Sequence, residues 1–179
     1  MWALAARHTG HVGYAMGTKG IGLEANPPVV DCSGWAAVLL TAGMAAANAT
    51  AQAAVFDTDG MAAVHTWSDR MIAVLEARTG FILQGAAITA DALPPLATIG
   101  LQQGGGAWAA NHERPRGITH VVQLLLRPGD GEPFVSESQG MWKPYGLRLL
   151  PLAEWLRATQ PLLARGGAWA VDGFAPRQG

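Results

Sequence analysis

No charged residue separates Asp31 from Asp57. The stretch between them, Cys32 to Phe56, is apolar at first and rich in Ala, Gly, Thr and Asn throughout. A helix this poor in polar faces must be covered by another layer. Its composition reads as a buried helix and its exit, not as a membrane span. Asp31 stands where a capping side chain belongs, so the helix is expected from Cys32 or Ser33 to about Asn48. Gly34 in the first turn costs helix stability and is tolerated where backbones approach closely.

The rest of the chain sorts around that helix. Residues 2–9 predict a short amphipathic helix with Trp2, Leu4 and Ala5 inward. Residues 17–28, "GTKGIGLEANPP", predict a loop. A second helix is expected from Trp67 to Arg78, closed by Gly80. "GFILQGAAI" is a candidate strand, and residues 100–117 are expected to form a long surface loop around the glycines of "QQGGGAW". "ITHVVQLLL", residues 118–126, predicts a strand. "RPGDGEP" supplies turn residues and "FVSES" a returning strand, so the two form an antiparallel hairpin. "LAEWLRATQPLLARG" predicts a helix with Pro161 inside or splitting it, and "AWAVDGF" a last strand. Helices precede strands, which predicts an α+β fold with an antiparallel sheet. The length of 179 residues suits one domain, 1–179.

The bulk properties exclude several functions. A net charge of −1, with no block of Lys or Arg, gives no nucleic-acid surface and no attraction to anionic membranes. The single cysteine cannot form an internal disulfide or a multi-thiolate zinc site. The opening "MWALAARHTGHVG" lacks a basic n-region, and Arg7 and His8 break its apolar run. It is therefore expected not to act as a signal peptide.

That single cysteine is Cys32, at the predicted helix start. The positive end of the helix and its unpaired N–H groups favour thiolate over thiol, and can hold a developing oxyanion. Free cysteine is also among the most buried residue types, so the local sequence alone favours reading Cys32 as an inert core thiol. A nucleophile needs a base. His8, His11, His65 and His112 fall at the N-terminus, near a helix start or in a loop. His120 alone falls within an apolar strand, where an imidazole is either packed or held for use.

"DCSGW", "THVVQLLL" and "FVSES", with "YAMG" upstream at Tyr14 to Gly17, together resemble the NlpC/P60 cysteine peptidases. The resemblance implies a papain-like fold in which N-terminal helices, including the nucleophile helix, pack on an antiparallel sheet. Residue by residue it implies Cys32 as nucleophile, His120 as general base and Tyr14 beside the oxyanion. Ser33 and Trp35 flank the nucleophile and are expected, with Tyr14, to contact the oxyanion or the substrate. A polar residue on the returning strand orients the imidazole, and Ser136 occupies its place in "FVSES". A serine can accept from the imidazole Nδ1–H. Glu137 is the alternative; it would stabilise imidazolium better, but strand alternation sends it to the face opposite Ser136. The chain departs from the family pattern in three respects. Met16 stands where the family has tryptophan, no Pro-Gly-Asp precedes the histidine strand, and Cys32 and His120 lie 120 − 32 = 88 residues apart.

The implied reaction is amide hydrolysis through an acyl-enzyme on Cys32, with no metal or cofactor. The implied substrate is a bacterial cell-wall peptide, often cut between D-glutamyl and a diamino acid. Some family members are amidase toxins delivered into other bacteria and countered by an immunity protein that plugs the cleft. This implies synthesis in the cytoplasm and export by a dedicated secretion machine. Two rival readings are an acyltransferase using the same Cys–His pair on a lipid ester and a non-catalytic cell-wall binding module. Trp35, Trp108 and Trp142 are candidates to wall the cleft, against the simpler role of aromatics in a core.

Overall fold

The computed structural model describes residues 1–63, 68–104, 114–141 and 143–174. His65, Trp67, Trp108, His112 and Trp142, all raised by the sequence, lie outside the described residues.

One antiparallel sheet organises the chain. Its strands are β1 (Leu83–Gln84), β2 (Ala97–Leu101), β3 (His120–Leu126), β4 (Pro133–Gln139), β5 (Gly146–Pro151) and β6 (Ala168–Asp172), in the spatial order β1-β6-β2-β3-β4-β5. Every adjacent pair runs antiparallel. Helices α1 (Trp2–His8), α2 (Cys32–Ala51), α3 (Thr58–Ala63) and α4 (Ser68–Thr79) come before the sheet, and α5 (Leu152–Ala164) joins β5 to β6. The α+β class with an antiparallel sheet is therefore observed.

Helices cover both faces. On one, Ala36, Ala37, Leu40 and Met44 of α2 and Met71, Ile72 and Leu75 of α4 pack against Val121, Trp169 and Val171. The spacing 36, 40, 44 is one stripe of a 3.6-residue helix. The adjacent stripe, Trp35 and Leu39, meets Ala5 of α1 and Leu125 and Leu147 of the sheet. On the other face, Leu152, Trp155 and Leu163 of α5 pack against Ile99, Val122, Leu124 and Ala170. A sheet covered on both faces buries every side chain of its central strands, so β3 is buried from His120 to Leu125. Among the described residues α2 is long and apolar enough to cross a membrane, yet 50% of its apolar window is buried inside this fold.

Some elements differ from the sequence expectation. α2 runs one turn further, to Ala51, and ends at Gln52 in the left-handed region with φ 51°. Only Leu83–Gln84 of "GFILQGAAI" is strand; a single 3-10 turn, Gly85–Ala87, follows. Another 3-10 turn, Gly20–Glu24, lies within the expected loop 17–28. Gly100 and Leu101, expected in a loop, belong to β2, a strand the sequence reading lacks, as it lacks β5. A Cβ on Gly100 would come within 2.8 Å of Ile72 and 2.9 Å of Ile118, so this glycine lets α4 and the segment before β3 close over the sheet. α5 continues through Pro161 without splitting.

Candidate active site

The site begins with the cap of α2. Asp31 Oδ1 accepts the Gly34 N–H at 2.7 Å, while Oδ2 accepts from Lys19 Nζ at 2.7 Å and the Gly17 N–H at 3.0 Å. One carboxylate thus ties loop 17–19 to the first turn. Gly34 is required there, because a Cβ would lie 2.5 Å from the Lys19 Cα. Cys32 is the first helical residue, as expected.

The Cys32 sulfur is buried beside the His120 side chain, whose hydrogen bonding and charge act on the thiol. It also meets Ser68 Oγ at 3.5 Å and the backbone N–H of Val121. His120 opens β3, and its Nε2 lies 2.7 Å from Glu137 Oε2 on β4. This leaves Nδ1 as the ring nitrogen available to the sulfur. Glu137 Oε1 accepts from Arg148 on β5. Four charged positions thus run in alternating sign: thiolate, imidazolium, carboxylate, guanidinium.

Burial pushes the Cys32 thiol up, but the hydrogen bond and charge of His120, with Ser68 and the Val121 N–H, outweigh it and hold the thiol below its usual value. Burial pulls His120 down, yet its bonds to Cys32 and Glu137 raise it from 6.5 to about 10. Burial likewise opposes the Glu137 carboxylate, and His120 and Arg148 overcome it. The same contacts that lower one partner raise the other, so the resting state is the ion pair.

The expectation that Ser136 orients the ring is overturned. Ser136 Oγ accepts from the Trp35 indole N–H at 2.9 Å, on the α2 side of the sheet. Gln123 pairs with Ser136 across the β3–β4 hairpin, so these two share a face. His120 lies three residues from Gln123 and Glu137 one residue from Ser136; both are odd steps, which put both side chains on the other face. Alternation did separate Glu137 from Ser136, but the histidine is on the glutamate's side.

Trp35 and Ser33 are also corrected as substrate contacts. Trp35 is 1% exposed, in the core, with its ring edge-on to His8 at 6.0 Å between centroids. The Ser33 hydroxyl donates to Asp31 Oδ1 at 3.2 Å and accepts from Lys19 Nζ at 3.0 Å, so it supports the cap. Tyr14 does reach the site. Its ring packs against Gly140, where a Cβ would lie 2.3 Å from ring carbons. Burial and the nearby charges of Cys32 and Asp31 raise its phenol to about 12, so it stays a hydrogen-bond donor.

Tyr14, Met16, Gln103, His120, Gln139 and Met141 are among the walls of a cleft of about 180 Å³. A larger groove of about 660 Å³ runs along α2 past Ile21, Ala37 and Thr41. It contains neither member of the Cys–His pair, so chemistry rather than size identifies the site.

Sequence reasoning missed four residues here. Ser68 touches the sulfur. Asp69 Oδ2 accepts the N–H groups of Arg116 and Ile118, each at 3.1 Å, which fixes the approach to His120. Arg114 donates to the Ile118 carbonyl at 2.6 Å, and Arg148 holds Glu137. "SDR" carried a signal, since Ser-Asp at a helix start marks exposed or cap-seeking polar groups, yet both residues are buried. Among the described residues no group of His, Cys, Asp and Glu is placed to hold a metal ion. No protein-family model, curated protein or solved structure matches the chain.

Proposed function

We propose that the chain is a cysteine hydrolase of amide bonds, of the NlpC/P60 type, acting on peptides of bacterial peptidoglycan. The observation that carries the reading is the buried Cys32–His120–Glu137 series at a helix start, with Nε2 of the ring 2.7 Å from the carboxylate. A structural thiol has no use for a charged partner that is itself oriented by a second charge, whereas an activated nucleophile requires both.

In the reaction, the Cys32 thiolate attacks the carbonyl carbon and a C–S bond forms. The oxygen takes the negative charge and is met by the Tyr14 O–H and by N–H groups at the start of α2. The His120 imidazolium gives its proton to the leaving nitrogen, and the C–N bond breaks. Neutral His120 then takes a proton from water, whose oxygen attacks the thioester. The acid is released, and thiolate and imidazolium are restored. Glu137 holds the ring throughout and stabilises its charged form, with Arg148 fixing Glu137. In the toxin form of this reading, a cognate immunity protein occludes the cleft and a dedicated machine exports the chain.

The experiment is incubation with purified peptidoglycan, followed by mass analysis of the fragments, with wild type beside Cys32→Ala. New peptide termini from wild type alone are expected. Intact stem peptides with both proteins would remove the substrate assignment.

A further inference from the structure

Both sides of the Cys32–His120 pair are held from β4. Glu137 and Ser138 are consecutive on that strand, so their side chains leave opposite faces. On one face Glu137 Oε2 lies 2.7 Å from His120 Nε2. On the other the Ser138 hydroxyl donates to the Val30 carbonyl at 2.6 Å. Val30 stands two residues before Cys32, and Ser138 and Val30 are both fully buried. Two neighbouring residues of one strand thus reach the base and the segment that delivers the nucleophile.

The Asp31 cap does not make this connection. Its carboxylate binds Gly34, Gly17 and Lys19, none of which belongs to the sheet. Two serines on the α2 side of β4 reach toward the helix instead. Ser136 accepts from Trp35 Nε1 at 2.9 Å, nearly a turn past Cys32, while Ser138 holds the extended segment that leads into the helix. The Val30 N–H in turn donates to the Gly13 carbonyl at 3.0 Å, beside Tyr14. Val30 therefore takes β4 through its C=O and the Tyr14 segment through its N–H. Hydrogen bonds weaken steeply with lost alignment. A small shift at Val30 would loosen the contact between sulfur and imidazole without unfolding the chain.

We propose that Ser138 is a positioning residue for the reaction: through Val30 it fixes the start of α2, and so the Cys32 sulfur, against the imidazole that Glu137 holds from the same strand. The inference deepens the proposed function and rests on it, since it takes Cys32 and His120 as the reacting pair. Ser138 acts through Val30 and does not itself enter the chemistry.

The test follows the pH dependence of Cys32 alkylation by iodoacetamide in wild type, Ser138→Ala and Ser136→Ala. Each variant removes one buried hydrogen bond between β4 and the start of α2, so both should lower the urea midpoint. Only Ser138→Ala should move the alkylation midpoint, upward by about one pH unit, so that the rate at a fixed pH below it falls about tenfold. Ser138→Cys is close to isosteric and a weaker donor, so its midpoint should fall between, with peptide mass mapping assigning the label to Cys32. That variant carries the test if Ser138→Ala does not fold. A wild-type midpoint retained in the folded Ser138 variants overturns the positioning role. So does an equal shift in Ser136→Ala, which would mark a general loosening of α2. A wild-type midpoint near the ordinary 9.0 would overturn the ion pair as well, since no pair would remain to position. Peptidoglycan plays no part in the measurement. A Ser138-dependent midpoint beside intact peptidoglycan would retain the positioning role and reject the cell-wall substrate.

Discussion

Glu137 binds two cationic groups with one carboxylate: Oε2 lies 2.7 Å from His120 Nε2, and Oε1 accepts from Arg148. The carboxylate is 2% exposed, so neither contact is diluted by water. It therefore does more than set the ring angle. It stabilises the imidazolium on which the Cys32 thiolate depends.

The first prediction concerns this division of labour on β4. Glu137→Gln keeps the shape and a hydrogen bond to Nε2 but removes the charge, so cleavage should fall by roughly ten- to a hundredfold, about 1.4–2.7 kcal/mol in the barrier. Ser136→Ala should leave cleavage within about threefold, yet destabilise the fold by about 1–3 kcal/mol, because the Trp35 indole N–H loses its buried acceptor. Rates and urea midpoints on the two variants separate the effects. A silent Glu137→Gln with an inactive, stable Ser136→Ala would return the orienting role to the serine.

The second prediction follows from the proton count of the ion pair. Folded, Cys32 is held below its ordinary 9.0 and His120 is raised to about 10, so the pair carries one proton, on the ring. Unfolded, between about 6.5 and 9.0, it also carries one, on the sulfur. Within that window, at pH above the depressed Cys32 value, proton numbers are equal and the pair's contribution to stability is flat. Below 6.5 the unfolded histidine gains a proton, and the depressed Cys32 contribution is lost as pH falls through its folded value. Above 9.0 the unfolded thiol loses its proton, and the His120 contribution is lost as pH rises through about 10. Each limb approaches about 1.4 kcal/mol per pH unit. Subtracting the unfolding free energies of a Cys32→Ala/His120→Ala double variant from wild type, pH by pH, should show this plateau. A steady slope between pH 7 and 8.5 would mean that the resting state is not an ion pair.

Thiol reactivity gives the third prediction. Cys32 should be alkylated well below the pH at which an ordinary thiol reacts. In His120→Ala the burial that opposes the thiolate is no longer answered, so the profile should move to or above the ordinary value near 9.0. Ser68→Ala removes one hydrogen bond to the sulfur and should move the profile upward by less. Rate profiles with a neutral reagent measure all three. Superimposable profiles for wild type and His120→Ala would dissolve the pair.

How far the sequence carried these arguments depended on whether a residue's role was local. Asp31, Cys32 and Gly34 lie within four positions, so the cap and the helix start could be read directly. β3 could be read because turn residues bound its apolar run. The orienting residue could not, because it depends on the register between β3 and β4. A strand buried on both faces has no polar–apolar alternation to reveal which way His120 points. β2 was hidden by Gly100, a residue that reads as loop until Ile72 and Ile118 are seen pressing on it. β5 was hidden by its flanks, Gly146 and Pro151, and with it went Arg148. Ser68 and Asp69 reach the site from α4, a contact no local pattern encodes.

The last prediction tests the oxyanion donor by two independent routes. Tyr14 stays protonated, its phenol raised to about 12 by burial and by the charges of Cys32 and Asp31. Its position is set by Gly140, which leaves the space that the ring fills. Tyr14→Phe removes the O–H and little else. If that hydroxyl meets the developing oxygen, cleavage should fall about 10²- to 10³-fold, mostly in kcat, since the interaction strengthens only as charge develops. Alkylation of Cys32 by a neutral haloacetyl reagent forms no oxyanion, so Tyr14→Phe should leave that rate within about twofold. Gly140→Ala acts from the other side. The new methyl would stand 2.3 Å from ring carbons, so the ring must shift while its hydroxyl is retained. It should reproduce much of the Tyr14→Phe loss in cleavage, and combining the two should cost little more than Tyr14→Phe alone, because each removes the same contact. Additive losses would show that Gly140 acts through something other than Tyr14. An unchanged kcat in Tyr14→Phe would leave the oxyanion to the N–H groups of α2 alone.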